Sequence, residues 1–91
     1  MLSDIPKKLE KVNKKIIDLE ILRTGIIAEL DAINLYEQLA GMTSDPKIKK
    51  ILLDIAREEK THVGEFETLL LQRDKEQVNE LGAGKKEVES K

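Results

Sequence analysis

The chain has 91 residues, 40% hydrophobic, 37% charged and 2% aromatic, with 16 Lys and Arg against 18 Asp and Glu, one His, and neither Cys nor Trp. The resulting net charge of -2 implies no uniformly basic face, which argues against a nucleic-acid partner. Without cysteine there are no disulfides, cysteine zinc sites, iron–sulfur clusters or thiol catalysis, and the dominance of Leu, Ile, Ala, Glu and Lys predicts a single all-α domain.

In chain order, Ile5, Leu9, Val12, Ile16 and Leu19 recur at steps of four and three, with Lys7, Lys8, Lys11, Lys14 and Lys15 between them. This predicts an N-terminal amphipathic helix or arm over 1–20 with a basic outer face. Arg23-Thr24-Gly25 interrupts it mildly, since Gly costs a helix interior about 1 kcal/mol relative to Ala. A bend, or a short helix leading into a longer one, is expected there.

The next stretch sets Leu22, Ile26, Glu29, Ile33, Tyr36 and Ala40 on one face and reaches Gly41, expected as a helix C-cap. Asp45-Pro46 follows, an acceptor side chain before the residue best suited to a first helical position. A tight helical hairpin is predicted to turn here. The third stretch carries Ile48, Leu52, Ile55, Glu59, His62, Phe66 and Leu69 at unbroken four-three spacing, the seam of a helix packed lengthwise on another. Asp74 and Gln77 have capping-box spacing for a short last helix through Val78 and Leu81, which Gly82-Ala83-Gly84 is expected to end. The organisation predicted is therefore an arm over 1–20, a helical hairpin with a short last helix over 21–82, and a flexible charged tail over 83–91. No apolar run approaches the roughly 18 residues a membrane span needs, and no signal-peptide core is evident, so a soluble cytoplasmic protein with no membrane partner is expected.

Glu29 precedes the turn by about 14 residues and Glu59 follows it by about 16, so both lie ~21–24 Å from it and are level in an antiparallel hairpin. Glu59-Lys60-Thr61-His62 is Glu-x-x-His, which sets a carboxylate and an imidazole on neighbouring turns of one face. Charged groups in an apolar seam require a partner. Ferritin-like carboxylate bundles take a Glu from each of two helices and Glu-x-x-His from each of two more, and this chain holds one of each. Two helices alone also leave Ile27, Leu30, Leu39, Ile51, Leu53, Leu70 and Leu71 beside the seams without cover. Both observations predict a homodimer forming a four-helix bundle. A purely structural Glu–His cluster at the dimer axis would set four carboxylates against two imidazoles, with about two negative charges uncompensated.

Ala28-Glu29-Leu30-Asp31-Ala32-Ile33-Asn34-Leu35-Tyr36-Glu37 and Ala56-Arg57-Glu58-Glu59-Lys60-Thr61-His62 resemble the two helix motifs of encapsulated ferritins, the ferritin-like cargo of encapsulin nanocompartments. The resemblance covers roughly Leu22 to Val78. It implies Glu29, Glu59 and His62 as ligands of a di-iron centre shared by two chains, with Tyr36 beside them, and ferroxidase activity. It further implies a higher even-numbered oligomer, a ring of dimers, working inside an encapsulin shell that stores the oxidised iron. Relatives carry acidic residues that attract incoming iron, whereas here Ala28 is non-acidic and only Asp31 stands nearby. The polar tail Lys85–Lys91 differs from the short apolar targeting peptide of many cargo proteins, as expected of different targeting or of a fragment of a shell-fused protein. Two other functions are compatible with the ligand set. One is a rubrerythrin-like peroxide reductase, which usually needs a cysteine-ligated iron; the other is a helical assembly module with a structural metal.

Overall fold

The computed structural model describes residues 13–91, which form three helices, α1 (Lys14–Met42), α2 (Pro46–Leu71) and α3 (Lys75–Glu89). There is no strand among the described residues, in keeping with the all-α expectation. The pattern built on Ile5, Leu9 and Val12 lies outside the described residues.

Asn13 caps α1, its side chain accepting from the Lys15 backbone N–H at 2.8 Å. The helix then runs unbroken through Arg23-Thr24-Gly25, so the expected bend or helix change does not occur. Instead there is one 29-residue helix, about 43 Å long. The apolar seam stays in phase across Gly25, and the gap left by the missing side chain is used. A Cβ on Gly25 would lie 3.2 Å from Cδ1, Cδ2 and Cε1 of Phe66 on α2.

The hairpin turns where Asp45-Pro46 predicts. Asp45 accepts from the Lys47 and Ile48 N–H groups at 2.8 and 3.2 Å, and Pro46 opens α2. Gly41 is not the cap. It lies within the last turn of α1, and the chain leaves through extended Thr43 (φ -91, ψ 144), whose Oγ1 accepts from the Asp45 N–H at 3.1 Å. A left-handed glycine is unnecessary because the Thr43–Asp45 bond closes the turn.

Helices α1 and α2 pack antiparallel along the four-three seams. Leu22, Ile33, Ala40, Ala56 and Leu70 form the core, and Ala40 and Ala56, each only 2% exposed, let the backbones approach closely. Asp74 caps α3 by accepting from the Gln77 N–H at 3.0 Å, and its other oxygen accepts from Arg23 Nη2 at 3.0 Å. One carboxylate thus starts α3 and ties it to α1.

The expected stop at Gly82 and mobile tail over 83–91 are replaced by helix to Glu89. Both glycines keep helical φ, Lys86 in the last turn complements the helix dipole, and the Ser90 N–H closes on Lys86 O at 3.0 Å. The stopping signals therefore lie seven residues further on. No residue of α3 is buried. None of the described helices is long and apolar enough to cross a membrane.

Gly64, in mid-α2, contrasts with Gly25, because a Cβ there would meet nothing within 4 Å. Gly64→Ala should therefore stabilise the protein by about 0.5–1 kcal/mol, the entropy that glycine costs a helix interior. Urea unfolding checks this; a loss of stability would mean that another surface covers this face.

Candidate metal centre

Glu29 lies near the middle of α1, and Glu59 and His62, three residues apart on α2, face it at the same level. The level match follows from the nearly equal helix lengths on either side of the Thr43–Asp45 turn. His62 Nδ1 lies 3.3 Å from Glu29 Oε2 and 3.5 Å from Glu59 Oε2. One oxygen of each carboxylate and a ring nitrogen all fall within 4.8 Å of one another.

Two ligand atoms each about 2.1 Å from a first-row metal ion, subtending 90–110°, are roughly 3.0–3.4 Å apart. The His62–carboxylate separations are close to such polyhedron edges. At 3.3 Å the His62–Glu29 pair is also a long hydrogen bond, and the spacing of the three groups is compatible with an ion between them. The donor set suits iron, manganese or zinc. The side chains of Glu29 and Glu59 are about one-fifth exposed (21% and 19%), and that of His62 is 46% exposed. The cluster is sunk between the helices and open on one side.

That open side is apolar. Ile48, Ile55, His62 and Leu69 recur at intervals of seven, one line along α2, and Ile48 and Leu69 are exposed. On α1, Ile21, Ala28, Leu35 and Met42 repeat the same interval, all exposed. Helical periodicity keeps each line on one face of its own helix.

Tyr36 lies two turns from Glu29, about 10 Å along α1, and is half-buried. Among the described residues, no hydrogen bond joins it to the three. Three features escaped the sequence reading: the Gly25–Phe66 contact, the Arg23–Asp74 tie, and a Lys60–Glu37 ion pair (3.4 Å) spanning the helices beside the site. All three join residues whose proximity no local pattern reveals.

A helical hairpin carrying Glu on one helix and Glu-x-x-His on the other is half of a ferritin-like bundle, and that is the fold class to which the structure belongs. The chain belongs to the rubrerythrin family, a family of iron-binding proteins, which it matches over residues 20–91. It is 66% identical over 70 residues to the ferritin-like–encapsulin shell fusion protein of Pyrococcus furiosus, covering 77% of this chain and 20% of that protein. It is 39% identical over 70 residues to the encapsulin nanocompartment cargo protein EncC of Myxococcus xanthus, covering 74% of this chain and 54% of that one. The chain thus spans about a fifth and about half of these two relatives. The crystal structure of the encapsulated ferritin domain from Pyrococcus furiosus superposes with a TM-score of 0.85 at 55% identity, covering 99% of this chain and 94% of that domain.

If the three side chains form one cation site, cobalt(II) titrated into metal-free protein should bind stoichiometrically, with the d–d spectrum of mixed oxygen and nitrogen ligation. His62→Ala should lose the nitrogen contribution, and Glu29→Ala and Glu59→Ala should lose stoichiometric binding. Wild-type spectra and affinity in His62→Ala would remove the imidazole from the ligand set.

Proposed function

We propose that the protein is a ferroxidase, oxidising Fe2+ to Fe3+ at a di-iron site formed where two copies meet about a two-fold axis, and delivering the product for storage inside an encapsulin compartment. The observation that carries this is the half-site itself. Two carboxylates and an imidazole converge within 4.8 Å on a face whose neighbouring residues are exposed and apolar. A two-fold copy seated on that face doubles the set to four carboxylates and two imidazoles, the complement of the di-metal bundles. The encapsulin context rests on the relatives, one fused to a shell and one a cargo protein.

Iron is the substrate, and when bound it supplies the one-electron chemistry that no side chain here can perform. The chain contributes position and charge. Four carboxylates neutralise two ferrous ions and favour the ferric state further, because anionic oxygen attracts the higher charge more strongly. His62 would ligate as neutral imidazole, through a ring nitrogen that carries no proton. Two ferrous ions together supply two electrons, which with two protons take dioxygen to hydrogen peroxide, or hydrogen peroxide to two waters. Tyr36, two turns away on the same seam, acts beside the centre without ligating.

The assembly extends beyond a dimer. The opposite face of the hairpin is also apolar, a groove lined by Ile26, Ile27, Leu30, Val63, Leu71 and, from α3, Leu81. A single two-fold partner cannot cover both faces, so each chain has two kinds of neighbour, which is how dimers join into a ring. The radius of gyration, 16.7 Å, exceeds the about 12 Å of a compact domain this size, as suits a subunit shaped for neighbours on two sides.

Stopped-flow absorbance of ferric species tests the activity. Glu29→Ala, Glu59→Ala and His62→Ala should each abolish rapid oxidation, since each removes two ligands from the symmetric site, whereas Tyr36→Phe should keep the metal and alter only rate. Wild-type oxidation by Glu59→Ala would sink the assignment. Bridging metal should also stabilise the dimer, by about 2.7 kcal/mol at free metal a hundredfold above its dissociation constant. Mass measured with ferrous iron and with chelator should therefore shift toward smaller species as iron is removed; sedimentation indifferent to iron at low protein concentration would argue against metal as the bridge. The protein alone should make no soluble iron-filled particle, because an open ring encloses no storage cavity.

A further inference from the structure

The Gly25–Phe66 contact lies one turn from the candidate centre on both helices. Gly25 precedes Glu29 by four residues and Phe66 follows His62 by four, so in the antiparallel pair both contacts are rungs of one ladder. We propose that Gly25 and Phe66 are a positioning pair, the bare Cα of Gly25 against the Phe66 ring fixing the helix separation that brings Glu29 within metal-sharing distance of His62. This rests on the metal reading above.

Glycine is the wrong residue for the middle of a long unbroken helix unless space requires it. Here space does. A Cβ on Gly25 would stand 3.2 Å from Cδ1, Cδ2 and Cε1 of Phe66 alike, so it would come down on the ring face rather than its edge. Spinning the ring about its own axis exchanges Cδ1 for Cδ2 and relieves nothing. The whole ring, or the helix carrying it, has to retreat by a few tenths of an ångström. The other described glycines meet nothing within 4 Å, so this constraint belongs to the position beside the site.

Magnitudes decide why that retreat matters. Metal–ligand bonds tolerate only about ±0.2 Å around their preferred lengths. An opening of a few tenths one turn away would stretch the 3.3 Å Glu29–His62 separation, which crosses between the helices, while the 3.5 Å Glu59–His62 separation, within α2, would stay as it is. The ligand set would lose its α1 member first.

Cobalt(II) titration of the full chain, wild type against Gly25→Ala and Gly25→Ala/Phe66→Leu, tests the pair. Gly25→Ala should bind about 10–100-fold more weakly, the usual cost of disturbing a group that orients a ligand. The double variant, in which a narrower side chain returns the space, should recover to within about twofold of wild type. A folded Gly25→Ala with wild-type affinity overturns the proposal, as does a double variant no better than the single. Should Gly25→Ala not fold, the double variant decides: folded with near-wild-type affinity supports the pair, and unfolded or folded without affinity overturns it. The His62 ring nitrogen resonances of the metal-free proteins give a readout independent of metal, shifting in Gly25→Ala and returning in the double variant. Absence of cobalt binding by wild type would defeat the metal reading alone, and these resonances would still judge the spacing role.

Discussion

Two carboxylates on the apolar seam of a helix pair set the terms for the rest of this molecule. Glu29 and Glu59 are each about four-fifths covered and have between them one imidazole, and covering charge without a partner costs free energy. In the proposed reading a cation between the three supplies the missing partner. It also explains the turn length that sets the residues level, the small Ala40 and Ala56 that let the helices close, and the imidazole drawn against both carboxylates. Each suits one ion held between two helices, as proposed.

A two-helix layer has an inside only along its seam. Both remaining faces of this hairpin carry Leu and Ile, and α3 covers only part of one of them, held at its start by the double use of Asp74. Such surfaces are expensive to leave in water, at roughly 25 cal/mol per Å² of apolar area, and a third helix with no buried residue cannot cover them. Association and metal binding are therefore two aspects of one requirement in the proposed assembly. The face that needs a partner for its apolar lines is also the face on which the ligand set is half complete.

The legible parts of the sequence were those in which a local rule and the fold agree. Asp45-Pro46 gave the turn because an N-cap acceptor and a fixed φ act within three residues. Glu59-x-x-His62 announced a shared face because helix geometry alone determines it, and Glu29 joined it by counting residues to the turn. Gly25 was misread because its reason is a ring 41 positions away, and Gly41 because the exit from α1 is made by Thr43 and Asp45. Gly82 and Gly84 read as stopping signals, yet a helix continues through glycines that keep helical φ when a cap waits downstream at Ser90. In each case the local signal was a weak preference, about 1 kcal/mol, set against a specific contact.

The exposure of His62 bears on how the centre would work. A structural ion is held in a closed coordination shell, whereas a site that turns over substrate keeps a position open. One chain offers three candidate ligands on a surface, with the imidazole nearly half exposed. In the proposed dimer, enclosure comes from the second copy, which contributes ligands and apolar cover together, so a site built this way is sealed only as far as the two copies fit. Ions bound at such a junction can exchange by small adjustments along the two-fold seam rather than by unfolding of a cage. A ligand set split between chains thus suits iron that arrives, is oxidised and leaves better than it suits a permanent structural ion.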